Sequence, residues 1–350
     1  MGGLNFPHGG NIYAVKRIFK KEVIDFSANI NPLGLPSRIR GIIYKNFDRF
    51  FYYPDPEAEN ISQKIAKYWG IEKENILIGN GSVELIYLIM SAFSPQTVLI
   101  PIPSFSEYER AARNVNARIK FIKLQGKEDF KLNPNQIIDS DILFLSNPNN
   151  PTGNVILADC QIVEKLPNRL IVIDEAFMDF LPDESIYTFI WKAQKSKKVI
   201  VLRTFTKFFA MPGLRIGYLV GHKDIIQVLK QYQVPWSVNV IAQQAAEYIL
   251  GDETYINKTR RLIERERNFL FAEVAKIRNL KPYPSVTNFL LIKIENKNLT
   301  SSFLTKKLIG RGFLIRDCAN FRGLNNKFIR IAVHSHKENL KLLKALKELA

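Results

Sequence analysis

Residues 203–220 read RTFTKFFAMPGLRIGYLV. Lys207 stands between two apolar runs, KKVIVLR before it and RIGYLV after it. Both have strand length and β-branched residues, and they predict buried strands on either side of the lysine. A lysine held there is poorly placed for surface work. Desolvation favours its neutral form, and a neutral amine condenses with carbonyl carbon. Thr204 and Thr206 supply hydroxyls just before it, and Arg215 supplies a guanidinium eight positions later. Hydroxyls and guanidinium groups are phosphate ligands. The T-x-T-K-(x7)-R spacing therefore points to a ligand with both an aldehyde and a phosphate arm, which is the chemistry of pyridoxal 5'-phosphate.

Working outward, strands and helices alternate. Ile76–Gly81 (ILIGNG), Thr97–Ile100, Asp141–Ser146 (DILFLS) and Leu170–Phe177 (LIVIDEAF) read as strands, with helical patterns over Ser82–Ala92 and from Pro103 to Arg110. That alternation predicts an α/β fold with a mostly parallel sheet flanked by helices. A large domain is expected over residues 48–270. A small α+β domain is expected from both chain ends, 1–47 and 271–350, with strands at Asn288–Ile294, Phe313–Arg316 and Phe328–Val333 and a helix at Ser301–Gly310.

Several positions carry chemistry of their own. A strand, a glycine turn at Gly81 and a helix start form an anion site, because free N–H groups and the helix dipole point at the ligand. A dinucleotide fingerprint fails there, since Glu84 stands where the third glycine belongs. Asn150 precedes a Pro-Thr-Gly turn at a strand's carboxyl end, where open α/β sheets bind ligands. Asp174 is a carboxylate at the end of a buried strand and needs a cationic partner, which a pyridinium N–H supplies. Arg330 lies inside FIRIAV and needs an anion, for which a carboxylate is a bidentate match. His334 and His336 lack a nearby third ligand, so no metal is expected.

Together these segments resemble the fold type I aminotransferase superfamily, almost end to end. The resemblance implies a fold type I transferase with a seven-stranded-type sheet. It implies that backbone N–H groups of Gly81, Ser82 and Val83 join Thr204, Thr206 and Arg215 around the cofactor phosphate. Phe105 would stack on the pyridine ring, Asn150 would donate to the cofactor's phenolic oxygen and to a substrate carboxylate, and Arg330 would hold the α-carboxylate. Tyr53, in FFYYPDP, would reach the cofactor of a second subunit across a homodimer interface.

Two branches of that superfamily come into question, the histidinol-phosphate aminotransferases and the threonine-phosphate decarboxylases of cobalamin synthesis. The phrases HGGN (8–11), DFSANINPLG (25–34), PWSVN (235–239) and LIRDCANFRGL (314–324) are similar to the second. Phe177 also stands where the aminotransferase branch usually carries a tyrosine. The resemblance thus implies pyridoxal phosphate-dependent decarboxylation of O-phospho-L-threonine to (R)-1-aminopropan-2-yl phosphate. Lys207 and Asp174 would be catalytic, and His8, Asn31 and Arg316 would bind the substrate phosphate. The alternative is transamination of histidinol phosphate with 2-oxoglutarate. Trp236, beside Pro235, carries family weight but is given no chemical role, since packing explains it equally well.

Bulk properties bound the rest. The 350 residues are 46% hydrophobic and 24% charged, an ordinary soluble composition. A net charge of +17 opens a third reading, a basic nucleic-acid-binding protein with a vestigial cofactor site. Lysines and arginines are spread along the chain without a basic tail, so a small anionic substrate is the expected partner, with no nucleic acid. TRRLIERER (259–267) alternates charge and reads as a solvated helix face. Cys160 and Cys318 are too far apart for a disulfide framework, which suits the cytoplasm. No targeting segment is expected in MGGLNFPHGG, where Phe6 stands at the Ser/Thr position of a myristoylation signal. Apolar runs such as Leu85–Met90 are too short to span a bilayer.

Overall fold

The computed structural model describes residues 7–349; Phe6 lies outside the described residues. A short strand, β1 (Ile24–Asp25), precedes the main sheet. That sheet comprises β2 (Ile76–Gly79), β3 (Thr97–Ile102), β4 (Arg118–Lys123), β5 (Ile142–Ser146), β6 (Leu170–Asp174), β7 (Val199–Thr204) and β8 (Gly217–Gly221). Its order is β2-β8-β7-β6-β5-β3-β4. Strands β4, β3, β5, β6 and β7 run parallel, while β8 is antiparallel to both its neighbours.

Strand composition follows position in the sheet. Central strands are covered on both faces and read as continuous Ile, Val and Leu. β4 lies at an edge and is half solvated, with Arg118, Lys120 and Lys123 guarding it against further pairing. Side chains alternate between faces. Ile142, Phe144, Leu170, Val172, Ile200 and Leu202 enter one core cluster, with the helices Gly81–Phe93, Ser106–Asn114 and Lys223–Tyr232. Leu143, Leu145, Ile171, Ile173, Val199 and Val201 enter the other.

This alternation decides where the polar strand ends point. Ser146, Asp174 and Thr204 continue the first parity, and β5 and β6 are in register at Ser146 and Asp174. Glu175 and Arg203 continue the second parity and meet in a buried ionic network. Arg203 is 1% exposed and reaches Glu175 at 3.0 Å, Asp179 at 3.3 Å and Glu184 at 2.8 Å. Arg260 joins Glu184 at 2.9 Å, and Glu266 is buried against Asn339. The TRRLIERER segment is therefore not simply a solvated face, because the helix Glu253–Ala275 turns Arg260 and Glu266 inward.

Toward the carboxyl terminus, β9 (Leu280–Pro282), β10 (Phe289–Ile294), β11 (Phe313–Leu314), β12 (Arg316–Asp317) and β13 (Phe328–Ala332) follow. A four-stranded antiparallel sheet has the order β12-β13-β10-β9. β11 pairs in parallel with β1 near the amino terminus, Ile24 opposite Phe313. The expected strand Phe313–Arg316 is thus two strands divided at Ile315, one serving each sheet. The helix Ser301–Gly310 matches its expected span. No helix of the described residues is long and apolar enough to cross a membrane.

Candidate active site

The carboxyl ends of β5, β6 and β7 open into a cavity of about 340 Å³, whose far wall is built from β12, β13 and the segment 7–9. Ser146, Asp174, Thr204, Thr206, Lys207 and Arg215 line the sheet side. Lys207 lies just beyond Thr204, the last residue of β7, so the buried strand delivers the amine to the cavity. Its pKa falls to about 8, first because burial disfavours the ammonium and then because Arg330 and Arg215 add positive charge. Asp25 and Asp174 pull the other way without offsetting this.

Asp174 accepts the Tyr108 hydroxyl proton at 2.6 Å and the Ala176 N–H at 3.0 Å. Burial pushes its carboxyl above the usual range despite both donors. Tyr108 is fully buried, stacks on Phe144 at 4.9 Å, and was not singled out by the sequence. The available signal was its place one helical turn after Phe105, on the same face. Phe105 lines the cavity with its ring 5.9 Å from that of His8.

The helix Gly81–Phe93 begins at the cavity, and Ser82 and Val83 line it. Gly81 has φ +78°, and a Cβ there would meet the Arg215 guanidinium at 2.5 Å. The turn therefore requires glycine to seat the arginine against the helix start. Across the sheet, a Cβ on Gly217 would meet the Ser82 nitrogen at 2.8 Å, so β8 too must carry glycine for this close approach. Thr204 donates to Thr206 at 2.7 Å. Among the described residues no carboxylate pairs with Arg215, and its one hydrogen bond there, to the Pro212 carbonyl, is long at 3.4 Å.

On the far wall, Arg316 and Arg330 are direct cross-strand partners, each 5% exposed. Like charges opposite one another on adjacent strands are unfavourable. Burial lowers the pKa of both guanidinium groups, that of Arg330 to about 10 with Arg316 adding to the fall. Arg330 donates to Asn150 Oδ1 and, at 2.8 Å, to the Ser27 carbonyl. Its Nε is buried without a hydrogen-bond partner. Since the Asn150 oxygen is engaged, its amide N–H₂ is the end left to donate. Arg316 donates to the Pro7 carbonyl and to Asn320 Oδ1, both at 2.8 Å.

Two expected site residues, Asn31 and Tyr53, lie elsewhere. Asn31 is not among the residues that line the cavity. It is 2% exposed, and its amide donates to the Phe208 carbonyl, Tyr255 and Thr259 while its oxygen accepts from Leu33 N–H. Its hydrogen-bonding capacity is spent on tying the lysine loop to the helix Glu253–Ala275, which corrects the expectation that it binds substrate. Tyr53 is 80% exposed and outside the cavity of its own chain, its ring tilted against that of Trp236 with centroids 4.8 Å apart. Trp236 is itself half exposed. His334 and His336 are drawn into separate contacts, to the Asp25 carbonyl and to Glu266.

Matched against known proteins, residues 21–346 fit the family Aminotransferase class I and II. The chain belongs to that family, and is a pyridoxal phosphate-dependent enzyme of fold type I. It is 40% identical to a Caldanaerobacter subterraneus protein provisionally named a threonine-phosphate decarboxylase, over 98% of this chain and 94% of that one. To the threonine-phosphate decarboxylase of Salmonella typhimurium it is 34% identical, over 99% and 97%. The crystal structure of the histidinol-phosphate aminotransferase from Clostridium acetobutylicum superposes with a TM-score of 0.85 at 33% identity, covering 93% of this chain and 98% of that one.

The residues present fit the cofactor. Among the described residues the buried carboxylate of Asp174 has no cation within ion-pair distance, Arg215 has no carboxylate beside the helix start, and Lys207, of depressed pKa, lines the same cavity.

Proposed function

We propose that this enzyme converts O-phospho-L-threonine and a proton into carbon dioxide and (R)-1-aminopropan-2-yl phosphate, the aminopropanol arm of cobalamin synthesis. The observation that carries the reading is the buried cross-strand pair Arg316 and Arg330. Two adjacent cations in a low-dielectric wall favour a substrate with two anionic groups close together. Phosphothreonine has that pattern, a carboxylate on Cα and a phosphate on the neighbouring carbon's oxygen. Histidinol phosphate carries one anionic group and a bulky imidazole. The near full-length similarity to two threonine-phosphate decarboxylases supports the same choice.

When bound, pyridoxal phosphate supplies an electron sink for the pair that a departing carboxyl group leaves on Cα. The Gly81–Val83 amides, Thr204, Thr206 and Arg215 would hold its phosphate, Phe105 its ring face, Asp174 its ring N–H and Lys207 its aldehyde carbon. Arg330 fixes the substrate carboxylate, and Asn150, oriented by Arg330, donates to it. His8 and Arg316 hold the substrate phosphate, which sets the rotation about Cα. Lys207, with its depressed pKa, moves a proton at Nζ to Cα once the carboxyl group has left.

The large domain, residues 48–270, and the small domain, from both chain ends, enclose this site between them. The face bearing Phe47, Phe50, Phe51, Tyr52 and Tyr53 is strongly exposed and aromatic, and a second copy of the chain would cover it. The resulting homodimer, working in the cytoplasm, would bring Tyr53 to the partner's cofactor phosphate. The test is incubation with pyridoxal phosphate and phosphothreonine without any keto acid. Catalytic release of carbon dioxide and aminopropyl phosphate is expected. Turnover that instead requires histidinol phosphate and 2-oxoglutarate, with no carbon dioxide from phosphothreonine, would overturn the assignment.

A further inference from the structure

Of the two carboxylates that line the cavity, Asp174 has a task and Glu107 has none. Glu107 is 5% exposed, in the first turn of the helix Ser106–Asn114. A carboxylate walled into a site for anionic substrates repels them, so its presence needs a reason. Both its oxygens are engaged. One lies 2.9 Å from His8 Nε2, and the other accepts the Tyr87 hydroxyl at 2.8 Å. Arg110, the remaining cation nearby, stands off at 3.9 Å on a largely exposed side chain.

This arrangement settles what His8 offers a ligand. With Nε2–H given to a carboxylate, a neutral imidazole presents Nδ1 as an acceptor, which a phosphate dianion rejects. Only the imidazolium presents Nδ1–H as a donor. We propose that Glu107 is a positioning residue: held by Tyr87, it orients His8 and favours the protonated ring, which donates a charge-assisted hydrogen bond to the substrate phosphate. The inference rests on the reading that this phosphate lies at the His8 end of the cavity.

The charges facing His8 make the carboxylate necessary. Burial lowers the imidazole pKa most, Arg316 and Arg110 lower it further, and the net shift is downward from the ordinary value. Glu107 opposes them through its charge and its hydrogen bond. Asp317 and Arg316 line, together with His8, a second small cavity. Without Glu107, His8 would therefore be neutral over a wider pH range. Phosphate binding through His8 is present below its pKa and lost as pH rises through it.

The chain has four histidines, so each titration can be resolved by NMR in the cofactor-loaded protein. Glu107→Gln keeps the shape and a partner for Tyr87 but removes the charge. The His8 midpoint should fall by about 1–3 pH units, as expected for loss of an adjacent opposite charge. The alkaline limb of kcat/KM for phosphothreonine should move down with it. Above both midpoints the change should lie in KM, about tenfold for each pH unit by which the midpoint falls, with kcat within about twofold. On a His8→Ala background Glu107→Gln should have no further effect. Glu107→Asp, with its carboxylate retracted, should give an intermediate midpoint, and it serves if the glutamine variant folds poorly. An unmoved His8 midpoint, or an equal KM penalty with and without His8, overturns the proposal. If the wild type releases no carbon dioxide from phosphothreonine while Glu107→Gln still lowers the His8 midpoint, the decarboxylase reading fails and the coupling stands.

Discussion

Lys207 should titrate far below an exposed lysine, and the perturbing groups can be tested one at a time. Its pKa of about 8, against an ordinary 10.5, arises from burial first, then Arg330 and Arg215. At pH 7 a group of pKa 8 is about 9% neutral, and one of pKa 10.5 about 0.03%, a gain of roughly 300-fold in reactive amine. Competitive labelling of the cofactor-free protein with acetic anhydride, a neutral reagent, reads this from the Lys207 peptide between pH 6 and 11. The midpoint should lie near 8, with surface lysines near their ordinary value. Arg330→Gln removes a cation and should raise the midpoint, whereas Asp174→Asn removes an anion and should lower it further. A lysine with depressed folded pKa binds fewer protons in the native state than in the unfolded one. Cofactor-free stability should therefore increase as pH rises from about 8 toward 10.5. A Lys207 midpoint near 10.5, or shifts of the wrong sign in the two variants, would refute the desolvation argument and with it the lysine's readiness for carbonyl chemistry.

Other perturbations follow from the same geometry. Asp174→Asn should still bind pyridoxal phosphate but lose most activity, because a neutral partner no longer favours a protonated ring; near-normal turnover would contradict this. Arg316→Ala should weaken phosphothreonine binding by roughly 2–5 kcal/mol, the range for one partner lost from a desolvated charge pair, seen as a rise in KM; an unchanged KM would move the phosphate elsewhere. Glu184→Ala takes a carboxylate from both Arg203 and Arg260 and should cost about 3–5 kcal/mol of stability. A denaturant midpoint equal to that of the wild type would show the network to be dispensable. Sedimentation should find a dimer; an active monomer that keeps its cofactor would leave Tyr53 without the role given to it.

Much of the candidate site is local in origin, and its residues can be named from the sequence alone. Lys207, Thr204, Thr206 and Asp174 follow directly from strand ends, because a strand's apolar run and its polar terminus are contiguous in the chain. Gly81 and the helix after it form an anion site through backbone geometry that a few consecutive residues specify. Period-two alternation, read along β6 and β7, even predicts that Asp174 and Thr204 face opposite ways from Glu175 and Arg203. What remained hidden depends on contacts between distant segments. Asn31 sits in a phrase that resembles a binding loop, yet its amide is consumed by Phe208, Tyr255 and Thr259, more than 170 positions away. Tyr108 meets Asp174 only once its helix packs against β3 and β4. Glu107 and His8 are 2.9 Å apart although nearly a hundred residues separate them. The adjacency of Arg316 and Arg330 exists only in the register of β12 on β13. Local pattern determines which groups a strand end offers; chain folding in three dimensions decides which partners are close enough to set their charge.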